Sequence, residues 1–233
     1  MATNEPKPLE FYGGAQVYSE SGVDLSLLRE NLEKSIEERW EENRRAALFA
    51  ETLRLSQPPG KRRASNPPRR QSLFNPEALV RRLAEHHVEF VLIGGLAMVA
   101  HGSSAVTKDL DLCYSRTPAN ITALADALAP IHPYLRGVPP GLPFRFDVPT
   151  IQAGLNFTLI TDDGDVDLLG EVSGVGTYEH AVGQSEEREL YGLTVRILSL
   201  DGLIAAKKAA GRAKDQTHLL ELEELKKLRD ASQ

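Results

Sequence analysis

Three aspartates and a glycine pair carry the chemistry open to this chain. Gly94-Gly95 closes one apolar run, Asp109-Leu110-Asp111 opens a second, and Asp167 stands between Val166 and Leu168 about fifty residues later. Asp109 and Asp111 alternate with Leu110 and Leu112, and a strand with a period of two puts both carboxylates on one face. Like charges about 7 Å apart along a strand repel unless a cation lies between them, and Mg²⁺, with oxygen ligands at roughly 2.0–2.1 Å, is the usual solution. The run from Thr161 to Leu169 contributes the third acid: Asp162, Asp163 and Gly164 have turn chemistry, and the alternation that follows puts Asp167 on a strand. Asp165, at the turn itself, reads as a solvated structural acid. The glycines, lacking Cβ atoms, let the main chain turn sharply and let a phosphate approach its N–H groups. Together these residues read as a metal-dependent site acting on a nucleotide phosphate.

The elements that must position these residues can be read locally. Val88–Ile93 is short, β-branched and aromatic, and predicts a buried strand; Leu96–His101 predicts a short helix stopped by Gly102. Asn75 with Pro76, and Thr117 with Pro118, cap helices running to Glu85 and Leu128. Tyr191–Leu198 is a further strand, Ser199–Gly211 a capped helix with a terminal glycine, and residues 215–229 a second helix with Leu219, Leu222, Leu225 and Leu228 on one side. The fold class is therefore α+β, a small mixed sheet flanked by helices. The stretch His132–Pro149 reads as irregular, and its Arg136 and Arg145 either line a substrate cleft or are solvated. His101 reads as a hydrogen-bonded structural histidine, His86 and His87 as surface, and Cys113, the only cysteine, as a buried thiol without a disulfide partner.

The N-terminal part has a different character. Asp24–Glu33 predicts one helix, and Ser35-Ile36-Glu37-Glu38 is a capping box opening another that runs to about Leu55. Leu28, Leu32, Ile36, Trp40, Leu48 and Leu53 are more apolar surface than two isolated helices can hide, so this hairpin is expected to pack on the rest of the chain or on a partner. Pro58–Arg70 holds four prolines, five basic residues and no acid, the composition of a linker. The expected organisation is a helical segment over 1–56, a linker over 57–73 and a domain over 74–233. The hairpin is then a docked, semi-independent cover, and removing residues 1–72 should leave a folded domain with an uncovered cleft. A net charge of −6 argues against broad non-specific nucleic-acid binding. No apolar run approaches the ~20 residues of a membrane span, so a cytoplasmic location without membrane contact is expected.

Glycine pair, a gap of 13 residues, Asp-x-Asp and a later apolar-Asp-apolar strand resemble the nucleotidyltransferase superfamily related to DNA polymerase beta. The resemblance is closer to its small bacterial members, including transferases of toxin–antitoxin systems, through Gly94–Gly102, Thr107–Asp111, Asn156–Thr161 and Leu203–Asp215, and it covers roughly residues 74 to 228. It implies transfer of a nucleotide from an NTP to a hydroxyl of RNA such as tRNA, of protein or of a small molecule. Asp109 and Asp111 would bind Mg²⁺ or Mn²⁺, and Asp167 would complete the set and act as base. Gly94, Gly95, Thr107, Lys207 and Lys214 would contact the nucleotide. Where related sequences carry an arginine before the Thr-x-Asp-x-Asp run, this chain has Ala105. The resemblance therefore leaves a second reading open, a non-catalytic antitoxin-like or regulatory protein that keeps the fold. Val17–Leu25 resembles a motif of small proteins paired with such transferases, which would make the N-terminal segment a regulator.

Overall fold

Capping decides most of the helix starts. In the computed structural model, which describes residues 11–12, 15–56, 74–139 and 141–231, the Asp24 carboxylate accepts from the N–H groups of Ser26 and Leu27 and opens helix α1, Leu25–Glu33. Before it lies a small antiparallel pair, β1 (Phe11–Tyr12) and β2 (Ala15–Gln16). Ser35 and Glu38 form the reciprocal capping box, 2.7 Å from the Ser35 N–H to Glu38 Oε2 and 3.2 Å from the Glu38 N–H to Ser35 Oγ, and start α2, Ile36–Ser56. Asn75 caps α3, Pro76–Glu85. Strand β3, Phe90–Ile93, runs directly into α4, Gly94–Ala100, and β4 is Asp109–Tyr114. Thr117 caps α5, Pro118–Leu128.

The stretch read as irregular holds two elements, β5 (Tyr134–Leu135) and the start of α6 (Val148–Ala153), each too short to leave a periodic pattern. The chain continues through β6 (Asn156–Thr161), β7 (Gly164–Leu169), the small pair β8 (Glu171–Val172) and β9 (Gly176–Thr177), and α7 (Tyr178–Gly183). Strands β10 (Ser185–Leu190) and β11 (Leu193–Leu198) form a hairpin. Helix α8, Leu200–Ala210, starts at the Ser199 cap and ends on Gly211 in the left-handed region, and α9 is Ala213–Ala231.

The main sheet has seven strands in the order β10-β11-β3-β4-β7-β6-β5, and the class is α+β. Parallel pairings join β11 to β3 and β4 to β7; the other neighbours are antiparallel. In β4 the apolar Leu110 and Leu112 are fully buried, which forces the intervening aspartates onto the opposite face. Cys113 lies in the core, where burial pushes its thiol up to about 12. His101 is also structural: Nε2 is 2.8 Å from the Leu198 carbonyl, Arg229 donates to Nδ1 at 3.1 Å, and burial holds its pKa down to about 4, so the ring is neutral. Among the described residues no helix is long and apolar enough to cross a membrane.

The N-terminal helices share this core. Leu28 and Trp40 are fully buried in it, with Leu32 and Ile36 packed alongside. Trp40 donates from Nε1 to the Leu96 carbonyl at 3.2 Å and meets the Tyr191 ring edge-on at 6.1 Å. Asn31 donates to the Gly102 carbonyl, and Arg39 to those of Asn31, Lys34 and Ala100. The hairpin is thus joined by buried side chains, not laid over a finished surface. Only the first half of α2 docks: Leu48 and Leu53, expected to pack, remain 43% and 51% exposed, as does Phe49 at 65%, because this 21-residue helix, about 30 Å long, outruns the body beneath it. Residues 57–70, which contain the basic proline-rich run, lie outside the described residues.

Candidate metal centre

The parallel register of β4 and β7 builds the site. Asp109 lies beside Asp165 and Asp111 beside Asp167, so four carboxylates occupy two adjacent rows on one face of the sheet. Carboxylate oxygens of Asp109, Asp111 and Asp167 all lie within 4.8 Å of one another. Asp165, expected from the sequence to be a solvated turn residue, belongs to this face as well: the turn is Asp162-Asp163, and the strand already begins at Gly164. The donor set is hard oxygen without sulfur or imidazole, which fits Mg²⁺ or Mn²⁺ and disfavours softer metals.

The glycine pair is explained by close approach. Ile93 pairs with Asp111 across β3 and β4, which brings the next residue, Gly94, against the Asp111 side chain. A Cβ at Gly94 would lie 2.0 Å from Asp111 Oδ2, and its φ of +64° is in the region that favours glycine. A Cβ at Gly95 would lie 2.6 Å from that of Thr107. The Gly95 N–H, read as part of a phosphate cradle, donates to Asp111 Oδ2 at 3.3 Å, so the pair shapes the acidic site directly.

Thr107 is held on two sides. Its hydroxyl donates to Asp109 Oδ1. Its backbone N–H donates to Asn43 Oδ1 and its carbonyl accepts from Asn43 Nδ2, both at 2.8 Å, so a buried amide on α2 fixes the residue that enters β4. From the other side, the buried Glu221 of α9 accepts from the Ser103 hydroxyl at 2.8 Å and from the Ser104 N–H at 2.6 Å. The segment containing Ala105 is therefore clamped between the first long helix and the last.

Electrostatics follow from four acids in a partly closed space. Burial, then the charges of Asp109 and Asp167, raise Asp111 to about 7, against the opposing pull of the Gly95 N–H and Lys207. Asp167 is raised by burial, with the Arg136 guanidinium pulling it back. Metal ligation requires the deprotonated acid, so ion binding here must strengthen as pH rises towards and past 7.

The basic residues are placed less simply. Lys207 sends its charge to Asp111, but its Nζ is 2.9 Å from Asp215 Oδ1, a carboxylate only 1% exposed that also accepts from Arg212. Lys208 meets Glu223 at the surface. The Lys214 side chain is outside the described residues. Arg136, given no definite place by the sequence, lies inside the acidic cluster: Nη2 is 2.6 and 2.7 Å from the two Asp167 oxygens, and Nη1 is 3.1 Å from Asp165 Oδ2 and 3.8 Å from Asp109 Oδ2.

Gly94→Ala separates backbone strain from site damage when compared with Gly192→Ala, where φ is +73° but the space is open. Gly192→Ala is expected to cost about 1–2 kcal/mol, the left-handed penalty alone. Gly94→Ala should cost clearly more and weaken Mn²⁺ binding by about tenfold or more, because the Asp111 carboxylate must move; each tenfold corresponds to about 1.4 kcal/mol. Denaturant melts and Mn²⁺ titrations of both variants measure this, and equal losses in the two would remove the close-approach explanation.

A scan against protein-family models finds no match, and no curated protein matches the chain.

Proposed function

We propose that this chain is a divalent-metal-dependent nucleotidyltransferase, moving a nucleotide from an NTP to a hydroxyl of RNA such as tRNA, of protein or of a small molecule. The observation that carries the reading is the convergence of Asp109, Asp111 and Asp167 from two parallel strands opposite a glycine pair that only glycine can form. Asp109 and Asp111 would hold the ions, with Asp167 completing the set. Bound there, Mg²⁺ or Mn²⁺ would neutralise charge on the phosphates and on the attacking and leaving oxygens of an in-line displacement. Asp167, raised by burial towards a useful base, takes the proton from the acceptor hydroxyl as that oxygen bonds to the α-phosphorus and pyrophosphate leaves. Gly94 and Gly95 keep the main chain low beside the carboxylates, and Thr107 orients Asp109. The nucleotide-fold relationship and a place in a toxin–antitoxin system, with the N-terminal helices or a separate protein as regulator, belong to this proposal.

Ala105 supports the second reading, a non-catalytic antitoxin-like or interaction protein, because it removes a cation from the segment leading to Asp109. Incubating the full chain with each α-labelled NTP, Mg²⁺ and cell extract separates the two. The expected result is label transferred to a macromolecule or small acceptor with at least one NTP, lost in excess EDTA. Transfer that persists in EDTA, or none with any NTP while Mn²⁺ binds normally, would favour the second reading or a different reaction.

A further inference from the structure

Arg136 is placed as no packing requirement demands. It follows β5 at the edge of the sheet, and its N–H is anchored to the Thr158 carbonyl on β6 at 2.9 Å. From that fixed point the side chain crosses to β7 and β4. There it takes both oxygens of Asp167 and approaches Asp165 and Asp109. Among the described residues, no other Lys or Arg forms an ion pair with Asp109, Asp165 or Asp167.

Those same oxygens are the ones a divalent ion would need. A guanidinium held by both Asp167 oxygens uses the lone pairs that face the cluster, and a second cation entering beside it meets a like charge in a poorly solvated space. The two can share Asp167 only against that repulsion. Because the backbone of Arg136 is anchored on β6 independently of these contacts, rotation of its side chain can vacate the site without disturbing β5. The freed guanidinium stays tethered a few ångströms from the ion site, with a planar fork of donors that matches phosphate oxygens. The segment clamped by Asn43 and Glu221 offers no such group, since Ala105 has no charge.

We propose that Arg136 is a displaceable counter-cation: a divalent ion takes its place at Asp167 and Asp109, and the released guanidinium becomes a ligand for the nucleotide phosphates. The first half stands on the acidic cluster alone; the second rests on the nucleotidyltransferase reading above.

The test uses the full chain as wild type, Arg136→Gln and Arg136→Lys, with Mn²⁺ followed by the loss of its free electron paramagnetic resonance signal. Removing the competitor should tighten Mn²⁺ binding about tenfold in Arg136→Gln, the scale of one charge-assisted hydrogen-bonded contact, with Arg136→Lys in between because it keeps the charge but loses the fork. Should Arg136→Gln melt below the working temperature, Arg136→Lys alone decides, and it must still bind Mn²⁺ more tightly than wild type. Unchanged or weaker binding in the folded variants overturns displacement and leaves Arg136 as a brace for Asp167. With Mn²⁺ saturating, a non-hydrolysable ATP analogue should bind Arg136→Gln about tenfold more weakly than wild type; equal affinities overturn the phosphate role. If wild type binds no nucleotide at all, the transferase reading and the phosphate role fall together, while displacement is still decided by the Mn²⁺ data.

Discussion

Under the proposed function, Asp111→Asn is expected to abolish nucleotide transfer, by on the order of 10³-fold or more, and at the same time to stabilise the metal-free protein at neutral and alkaline pH. The loss of activity follows from removing one of three converging carboxylates. The gain in stability follows from the raised acid. In the folded chain Asp111 titrates at about 7, against an ordinary value of 3.8 when unfolded, so between these pH values the native state keeps a proton that the unfolded state has lost. The native state is thus favoured at low pH, and this contribution is lost as pH rises from about 4 through about 7, above which the penalty is constant. Asparagine cannot ionise and carries no such penalty. Melting curves in EDTA from pH 4 to 9 should therefore nearly coincide at the acid end and diverge with rising pH, reaching a difference on the order of 2–4 kcal/mol above pH 7. A variant less stable than wild type at pH 8 would show that the carboxylate is a structural anchor instead of a strained functional group.

Trp40→Ala is expected to destabilise the whole chain by about 3–5 kcal/mol. Trp40 has no exposed surface, donates to the Leu96 carbonyl and packs on Tyr191, so truncation opens a cavity and removes that hydrogen bond. Against a typical domain stability of about 5–15 kcal/mol, this approaches unfolding. Phe49→Ala, on the same helix but 65% exposed, should change stability by about 0.5 kcal/mol or less. Urea titrations of the two variants make the comparison. Removing residues 1–72 deletes Leu28, Trp40 and the Asn43 clamp on Thr107 together, so the expected product is aggregated protein, not a folded domain with an uncovered cleft. Soluble, cooperative unfolding of Trp40→Ala at wild-type stability would restore the semi-independent hairpin.

What the sequence made legible was local. The caps at Asp24, Ser35, Asn75, Thr117 and Ser199 and the stop at Gly211 depend on a few neighbouring residues, and each helix begins or ends where those residues stand. The two-residue alternation around Asp109 and Asp111 likewise needs only a strand. Pairing across the sheet is a different matter. That Asp165 joins the acidic face depends on β7 lying parallel to β4 in a register set by buried Leu110, Leu112, Val166 and Leu168, contacts separated by more than fifty residues. Strand β10 carries no sequence signature because Ser-Glu-Glu-Arg-Glu-Leu lacks an apolar face; as an edge strand it needs little, and its charges guard against edge pairing. For Arg136 the sequence leaves cleft and solvent equally open, because β5 has two residues and the partners of its guanidinium lie on other strands. The sequence marks Trp40 as apolar surface to be hidden, but its acceptor on Leu96 belongs to the third dimension.

Titration of the full chain with Mn²⁺ tests most directly whether Asp109, Asp111 and Asp167 form one divalent-ion site. At pH 8 the wild type should bind Mn²⁺ in competition with Mg²⁺, bind it more weakly at pH 6 as Asp111 takes up its proton, and lose it in the Asp109→Asn, Asp111→Asn double variant. Equal Mn²⁺ uptake by the wild type and a folded double variant, or no uptake by wild type at either pH, would contradict the site.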